Sequence, residues 1–335
     1  MHTFAQALAS LPQGEKPSLL MGNGFSQAWS PRIFNYRSIL DNADFGEHED
    51  LIRKLFQELN TFDFESVMDK LLSANRIIKH YDPHCEMINL INEHQEALKT
   101  ALINAISSSH PTYPHEILDR QFSSARSFLS GFEGLFTLNY DLLMYWARNK
   151  NNLEPLNFET DDGFRAGRTW QRYDTDQEVF FLHGALHLYE EGSLIKKHAS
   201  GDNGNTIIEQ VQINLDAGAF PLFVSEPTSE KKKERILHNP YLNFCYAALR
   251  KLKGTLFIYG HSMDKNDRHI FDQIRDSQIT NVFVSIYGNE NDEHNKKAIA
   301  NAHRFLSKEG CVVDFFIAES APIWEEIQAP ALYMN

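Results

Sequence analysis

Ser26, Asn139, Asp141, His183 and Ser262 are side chains able to hold a sugar hydroxyl, a phosphate or a proton, and each lies in a similar local setting. The settings are LLMGNGFS (Leu19 to Ser26), FTLNYD (Phe136 to Asp141), FFLHG (Phe180 to Gly184) and FIYGHS (Phe257 to Ser262). Each opens on an apolar run that predicts a buried parallel strand. Each then breaks at a small or polar residue, where a loop should leave the sheet. Open α/β sheets bind ligands in the crevice outside the carboxyl ends of their strands. Four such strand ends describe a polar ligand crevice, and function is expected there.

Each segment supports a chemical reading and a plainer one. In Gly22-Asn23-Gly24-Phe25-Ser26 the glycines let backbone approach a ligand, and free N–H groups can cradle a pyrophosphate. Gln27 stands where a GxGxxG fingerprint has its third glycine, and an ordinary tight turn accounts for the same residues. Asn139 and Asp141, two apart at the mouth of a sheet, can share one ligand, or Asp141 can simply cap the next helix. His183 can act as a general base near neutral pH, with Gly184 leaving room for substrate, or can be a satisfied structural histidine. Gly260 and Ser262 suit ribose or phosphate contact, and Ser262 equally suits a helix cap; Asn289, after Tyr287-Gly288, is placed to meet adenine or its ribose.

The elements that must position these residues follow from pattern. Between the first two strands, from about Asp50 to Phe132, the spacing is helical. Leu51, Leu55 and Leu59 predict one helix; Phe64, Val67, Met68, Leu71 and Leu72 a second, with Asp63 as its N-cap. Met87, Ile88, Leu90, Ile91, Leu98, Leu102 and Ile106 predict a long third, and Ile117 to Phe132 a fourth. About eighty residues of helix far exceed a usual βα crossover, so residues 46–129 are expected to be a helical insertion or cap. Beyond Asp141 a helix (Leu142 to Arg148) returns the chain, and ALHLYEEGSLIKK predicts a hairpin turning at Glu191-Gly192. The charge run SEKKKER reads as a solvated helix face or mobile loop. Strands and helices then alternate to Ile317, the signature of a doubly wound parallel sheet.

The totals narrow the function classes. A net charge of −13 over 335 residues argues against a chain that grips nucleic acid directly. The apolar runs fall well short of the ~18 residues of a membrane span, and MHTFAQALASLPQGEK has no signal-peptide pattern. Cys85, Cys245 and Cys311 form no CxxC pair, which predicts reduced thiols in a cytoplasmic setting and no zinc ribbon.

The order GNGFS, TLNYD, LHG, GHS resembles that of the sirtuin-like superfamily, with its GAGxS-type loop, T-x-N-x-D segment, catalytic H-G and G-x-S loop. SPRIFNYRS (Ser30 to Ser38) also resembles the sirtuin cofactor loop of Pro, Phe and Arg. The resemblance covers residues 15 to 40 and 130 to 318 and implies a Rossmann-like domain over 1–45 and 130–335. Protein-deacylating sirtuins carry two CxxC pairs in a zinc module, which this chain lacks. It is therefore more similar to the bacterial sirtuin-like NAD hydrolases with a helical insertion, many of which serve in antiphage defence. That similarity implies NAD as substrate, no zinc, Asn139 and His183 as catalytic residues, and Asp141 as a ligand of nicotinamide or ribose. It implies nucleotide contacts from Gly22, Asn23, Gly24, Phe25, Ser26, Gly260, Ser262 and Asn289. It also implies gating, a homo-oligomer, and in some such systems a DNA-translocase ATPase partner. A non-catalytic NAD or ADP-ribose sensor is the alternative, ahead of a deacylase or ADP-ribosyltransferase.

Overall fold

Runs of Leu, Ile, Val and Phe that are apolar on both faces must be buried on both faces, and five of them, with a less buried sixth strand at one edge, build the centre of this protein. The computed structural model describes residues 1–34, 36–165, 168–172, 176–201, 204–217 and 219–325. The last ten residues of the span assigned above to the Rossmann-like domain, 326–335, lie outside the described residues.

The chain begins with α1 (Phe4–Ala9) and β1 (Ser18–Met21). Six helices follow: α2 (Gly24–Trp29), α3 (Tyr36–Asp41), α4 (Glu49–Glu58), α5 (Phe64–Tyr81), α6 (Met87–Ser109) and α7 (Asp119–Ser130). Then come β2 (Leu135–Thr137), α8 (Leu143–Asn149), β3 (Val179–Phe181) and an antiparallel hairpin of β4 (Leu188–Glu191) and β5 (Leu194–Lys197). Helices α9 (Ile207–Asp216), α10 (Ser229–His238) and α11 (Pro240–Leu249) lead to β6 (Lys253–Tyr259). The chain continues through α12 (Arg268–Arg275), β7 (Gln278–Ile286), α13 (Glu293–Leu306) and β8 (Val312–Ile317).

The main sheet has the order β3-β2-β1-β6-β7-β8 and every pairing in it is parallel. Counting only its own strands, the order is 3-2-1-4-5-6, that of the doubly wound Rossmann-like fold, and the direction of winding reverses between β1 and β6. Helices flank the sheet. Phe4 of α1 packs 5.3 Å from Phe128 of α7 and 5.7 Å from both Phe257 of β6 and Phe316 of β8, so aromatic rings join these layers.

The predicted hairpin forms with Glu191 opposite Leu194 across the turn. Asp63 caps α5 by accepting from the Glu65 N–H at 2.9 Å. The buried face of α4 differs from the predicted Leu51, Leu55, Leu59 stripe. Ile52 and Phe56 are buried, Phe56 against Phe45 and Phe64, while Leu51 is 52% exposed. Both stripes have helical spacing, and the sheet of aromatic rings beneath decides between them.

At the winding reversal, the loops after β1 and β6 touch backbone to backbone. Gly24 N–H donates to Gly260 C=O at 2.8 Å, and a Cβ on Gly260 would lie 2.5 Å from Gly24 Cα. Gly288 has a similar positive φ but open space around it. Comparing the two separates contact from conformation. Gly288→Ala should cost only the φ penalty of about 1–2 kcal/mol, and Gly260→Ala a further ~1–3 kcal/mol from overpacking. Urea midpoints measure this, and equal losses would show that the close approach is dispensable.

Candidate active site

All four motif segments end at the same edge of the sheet, on the four adjacent strands β3, β2, β1 and β6. Thr137 pairs with both Met21 and Phe181, and Met21 with Tyr259, so the strands run out together. Asn139 and His183 each lie two residues past the paired Thr137 and Phe181, on neighbouring loops joined by Leu186 N–H to Tyr140 C=O at 2.8 Å.

Two of the loops meet through side chains. Ser26 Oγ donates to Asp141 Oδ2 at 2.5 Å, and Asn139 Nδ2 donates to Ser26 Oγ at 3.0 Å. Asp141 Oδ1 accepts from Leu143 N–H at 2.9 Å. One oxygen thus serves the start of α8, as the capping reading expects, and the other holds the GNGFS loop. Burial raises the Asp141 pKa, against the lowering effect of the Ser26 hydroxyl and the Leu143 N–H. His110, which follows α6, supports this loop by accepting from Leu142 N–H at 3.0 Å through Nε2, and its ring nitrogen Nδ1 meets Pro111 C=O. Burial drops the His110 pKa to about 4, so it stays neutral in this role.

His183 enters a second, ionic cluster. Its Nε2 lies 3.4 Å from His269 Nε2 and 3.8 Å from Asp267 Oδ1. Asp267 Oδ1 takes Lys232 Nζ at 2.9 Å, and the same ammonium reaches Glu65 Oε2 of α5 at 2.7 Å. Asp267 Oδ2 takes His261 Nε2 at 3.0 Å. Burial lowers the His183 pKa well below the usual histidine value, against the pull of Asp267. Burial likewise drops His269 to about 3. Burial would also disfavour the Lys232 ammonium, but Asp267 and Glu65 overcome it and hold the group well above the ordinary lysine value. Asp267, although buried, is held well below the carboxylate range, first by Lys232. Glu65 is left as the weaker partner, and burial raises it to about 7.

Several predicted ligands do other work. Phe25 is fully buried against Trp324, whose indole N–H donates to Phe25 C=O at 2.9 Å. Asn23 Nδ2 donates to Phe34 C=O at 2.7 Å and ties down the SPRIFNYRS segment. Gly22 and Gly24 pack against Gly260, and the Gly24 N–H is spent on Gly260 C=O. Gly184 leaves no room beside His183: a Cβ there would meet Leu222 C=O at 1.9 Å, because residues 222–224 run against it. Ser262 is exposed and caps no helix; Asp264 caps the short turn Lys265–Asp267 instead. Asn289 is exposed after β7, with Oδ1 accepting from Asn291 N–H. Asn139 at 9% and His183 at 3% exposure are nearly closed off. A cavity of about 210 Å³ lies at the opposite edge of the sheet, beside Lys16, Glu133 and Glu178, which precede β1, β2 and β3.

Lys232, Asp267, His269 and Glu65 are functional candidates that sequence reasoning did not find. Lys232 lies within the run read as a solvated face, yet it is 1% exposed. Only its position, one turn into a helix whose Thr228 cap fixes the register, carries a signal. The donor atoms of His183, Asp267 and His269 lie within 4.8 Å of one another, a spacing that a cation could draw together. The Lys232 ammonium already supplies positive charge to the Asp267 oxygen that such an ion would need.

Fold and site together define a Rossmann-like α/β protein with a histidine and a carboxamide on adjacent strand ends, backed by a buried ion cluster. Over residues 19–324 the chain matches the family model described as a domain of unknown function, DUF4917, and it belongs to that family. No curated protein matches it. Among the described residues no helix is long and apolar enough to cross a membrane.

The cluster carries a pH signature. The folded-state pKa of Glu65, about 7, lies above its ordinary 4.5. The folded protein thus prefers the protonated acid, and stability from this group is full below the unfolded value and lost as pH rises through 7. Residual exposure of the Glu65 side chain, 21%, tempers the effect. The melting temperature should fall between about pH 4.5 and pH 7, and Glu65→Gln should flatten that decline. Parallel curves for the two proteins would exclude Glu65 as its source.

Proposed function

We propose that this protein is a NAD glycohydrolase, cleaving the nicotinamide–ribose bond to give nicotinamide and ADP-ribose. The observation that carries the reading is the arrangement of motifs. GNGFS, TLNYD, LHG and GHS, whose order resembles the sirtuin-like NAD hydrolases, end four adjacent strands flanking the winding reversal, where open α/β sheets take ligands.

The chemistry asks little of an acid. The C1′–N bond breaks with its electron pair going to the pyridinium, which leaves as neutral nicotinamide. Water then bonds to C1′ and gives up a proton. Asn139 is suited to hold that water or the ribose hydroxyls, and Asp141 to orient Asn139 through Ser26. His183, kept neutral by burial, is suited to take the proton. Positioning and electrostatic stabilisation supply the remainder. The burial of Asn139 and His183 fits an enzyme held closed until triggered, as a defence effector that consumes its host's NAD would need to be.

Purified protein incubated with NAD should release nicotinamide, followed by chromatography. Asn139→Ala and His183→Ala should each reduce the rate on the order of 10²–10⁴-fold. Tight NAD binding with no turnover, even with lysate of phage-infected cells added, would establish a sensor instead. Turnover unchanged in both variants would remove these residues from the mechanism.

A further inference from the structure

His183 has two ring nitrogens in different surroundings. Nε2 faces His269 Nε2 at 3.4 Å and Asp267 Oδ1 at 3.8 Å. Among the described residues Nδ1 has no hydrogen-bond partner, which leaves it as the nitrogen able to receive a proton from outside the cluster. For Nδ1 to offer a lone pair, the ring proton must sit on Nε2. Asp267 Oδ1, at 3.8 Å, makes no hydrogen bond to that nitrogen, but its negative charge lies on the Nε2 side of the ring and favours the proton there, and Asp267 is itself tightly held. His261 Nδ1 accepts from Met263 N–H at 2.8 Å, so neutral His261 carries its proton on Nε2 and donates it to Asp267 Oδ2. Ser229 Oγ accepts from His269 N–H at 2.8 Å and meets His269 Nδ1 at 3.1 Å, fixing the second ring.

Above about pH 7, where Glu65 is ionised, the cluster's charge does not balance. Asp267 and Glu65 are two carboxylates facing one ammonium, Lys232. One further proton neutralises the set. An imidazolium at His183 would supply that proton at the moment the ring acts as a base. The groups facing His183 from the packed elements are Asp267 and His261 between β6 and α12, His269 on α12 and Lys232 on α10. Glu65 on α5 and the Tyr140 hydroxyl stand behind Lys232.

We propose that Asp267 is a positioning residue for His183. It fixes the imidazole in its Nε2–H tautomer and compensates the charge the ring gains, while Lys232 and Glu65 set how much of that negative charge remains available. The proposal rests on reading His183 as the base. It also makes α5, which lies between β1 and β2, an electrostatic participant in the site: whether Glu65 is ionised alters the field at His183.

Two measurements on the full chain test this. ¹⁵N imidazole NMR should show His183 as the Nε2–H tautomer in wild type and lose that preference in Asp267→Asn. In nicotinamide-release assays, Asp267→Asn should lower kcat on the order of 10²-fold with KM changed less than about threefold. Its acid limb should move to lower pH, because the carboxylate that favoured imidazolium is gone. Glu65→Gln should move the limb the same way by less, and it supplies that result if the Asn variant does not fold. A kcat loss with unmoved limb and unmoved tautomer would reduce Asp267 to a structural role and overturn the proposal. If the wild type has no turnover, the NAD reading fails separately, and an unchanged tautomer in Asp267→Asn would then overturn this one as well.

Discussion

A lysine ammonium buried at 1% exposure can exist only where anions replace its water, and Lys232 recruits its anions from two distant parts of the chain. Glu65 lies in the first turn of α5, between β1 and β2 in the chain. Asp267 comes from the turn after β6. The two carboxylates depend on the ammonium most of all, because removing Lys232 leaves both facing each other in the interior with no cation between them. A buried ion pair of this kind adds little net stability over an apolar replacement, and its value lies in specifying one arrangement. Here the arrangement specified is the packing of α5, α10 and α12 around His183.

The second constraint is the contact of glycines at the winding reversal. Gly24 and Gly260 bring two strand-end loops within hydrogen-bonding distance, and Ser26, next along the first loop, thereby reaches Asp141. The carboxylate then fixes both the start of α8 and, through the Ser26 hydroxyl, the Asn139 amide. Asn139 and His183 are therefore supported by separate networks, one a hydrogen-bond chain through Ser26 to Asp141 and the other the ion cluster around Lys232. Residues 222–224 run against the glycine beside His183, and the His183 residue is itself buried.

The parallel sheet was legible because continuous apolar runs such as Leu19 to Met21 and Leu256 to Tyr259 have few alternatives to buried strands. The N-cap at Asp63 and the turn at Gly192 were legible because their signals are local. The inward face of α4 was not, since Leu51 and Ile52 both begin a helical stripe and only tertiary contacts choose between them. The burial of Phe25 and the packing of Gly184 against residues 222–224 were not legible, because a residue beside a strand end can face solvent, a ligand or another segment, and nothing local distinguishes these. Lys232 shows the same limit for charge. Among the charged residues of SEKKKER, the one turned inward is selected by Glu65 and Asp267, far away in sequence.

The position of β1 has a consequence for how the chain is made. Leu19 pairs with Leu135 on one side and Phe257 on the other, so an entirely buried strand near the amino terminus is completed only by a partner about 240 residues later. At ribosomal speeds of about 5–20 residues per second, this apolar segment waits tens of seconds with one edge unpaired. During that interval α2 to α7 are already synthesised. The length of chain between β1 and β6 thus sets how long the nascent strand stays incomplete, a matter of biogenesis separate from any contribution to chemistry.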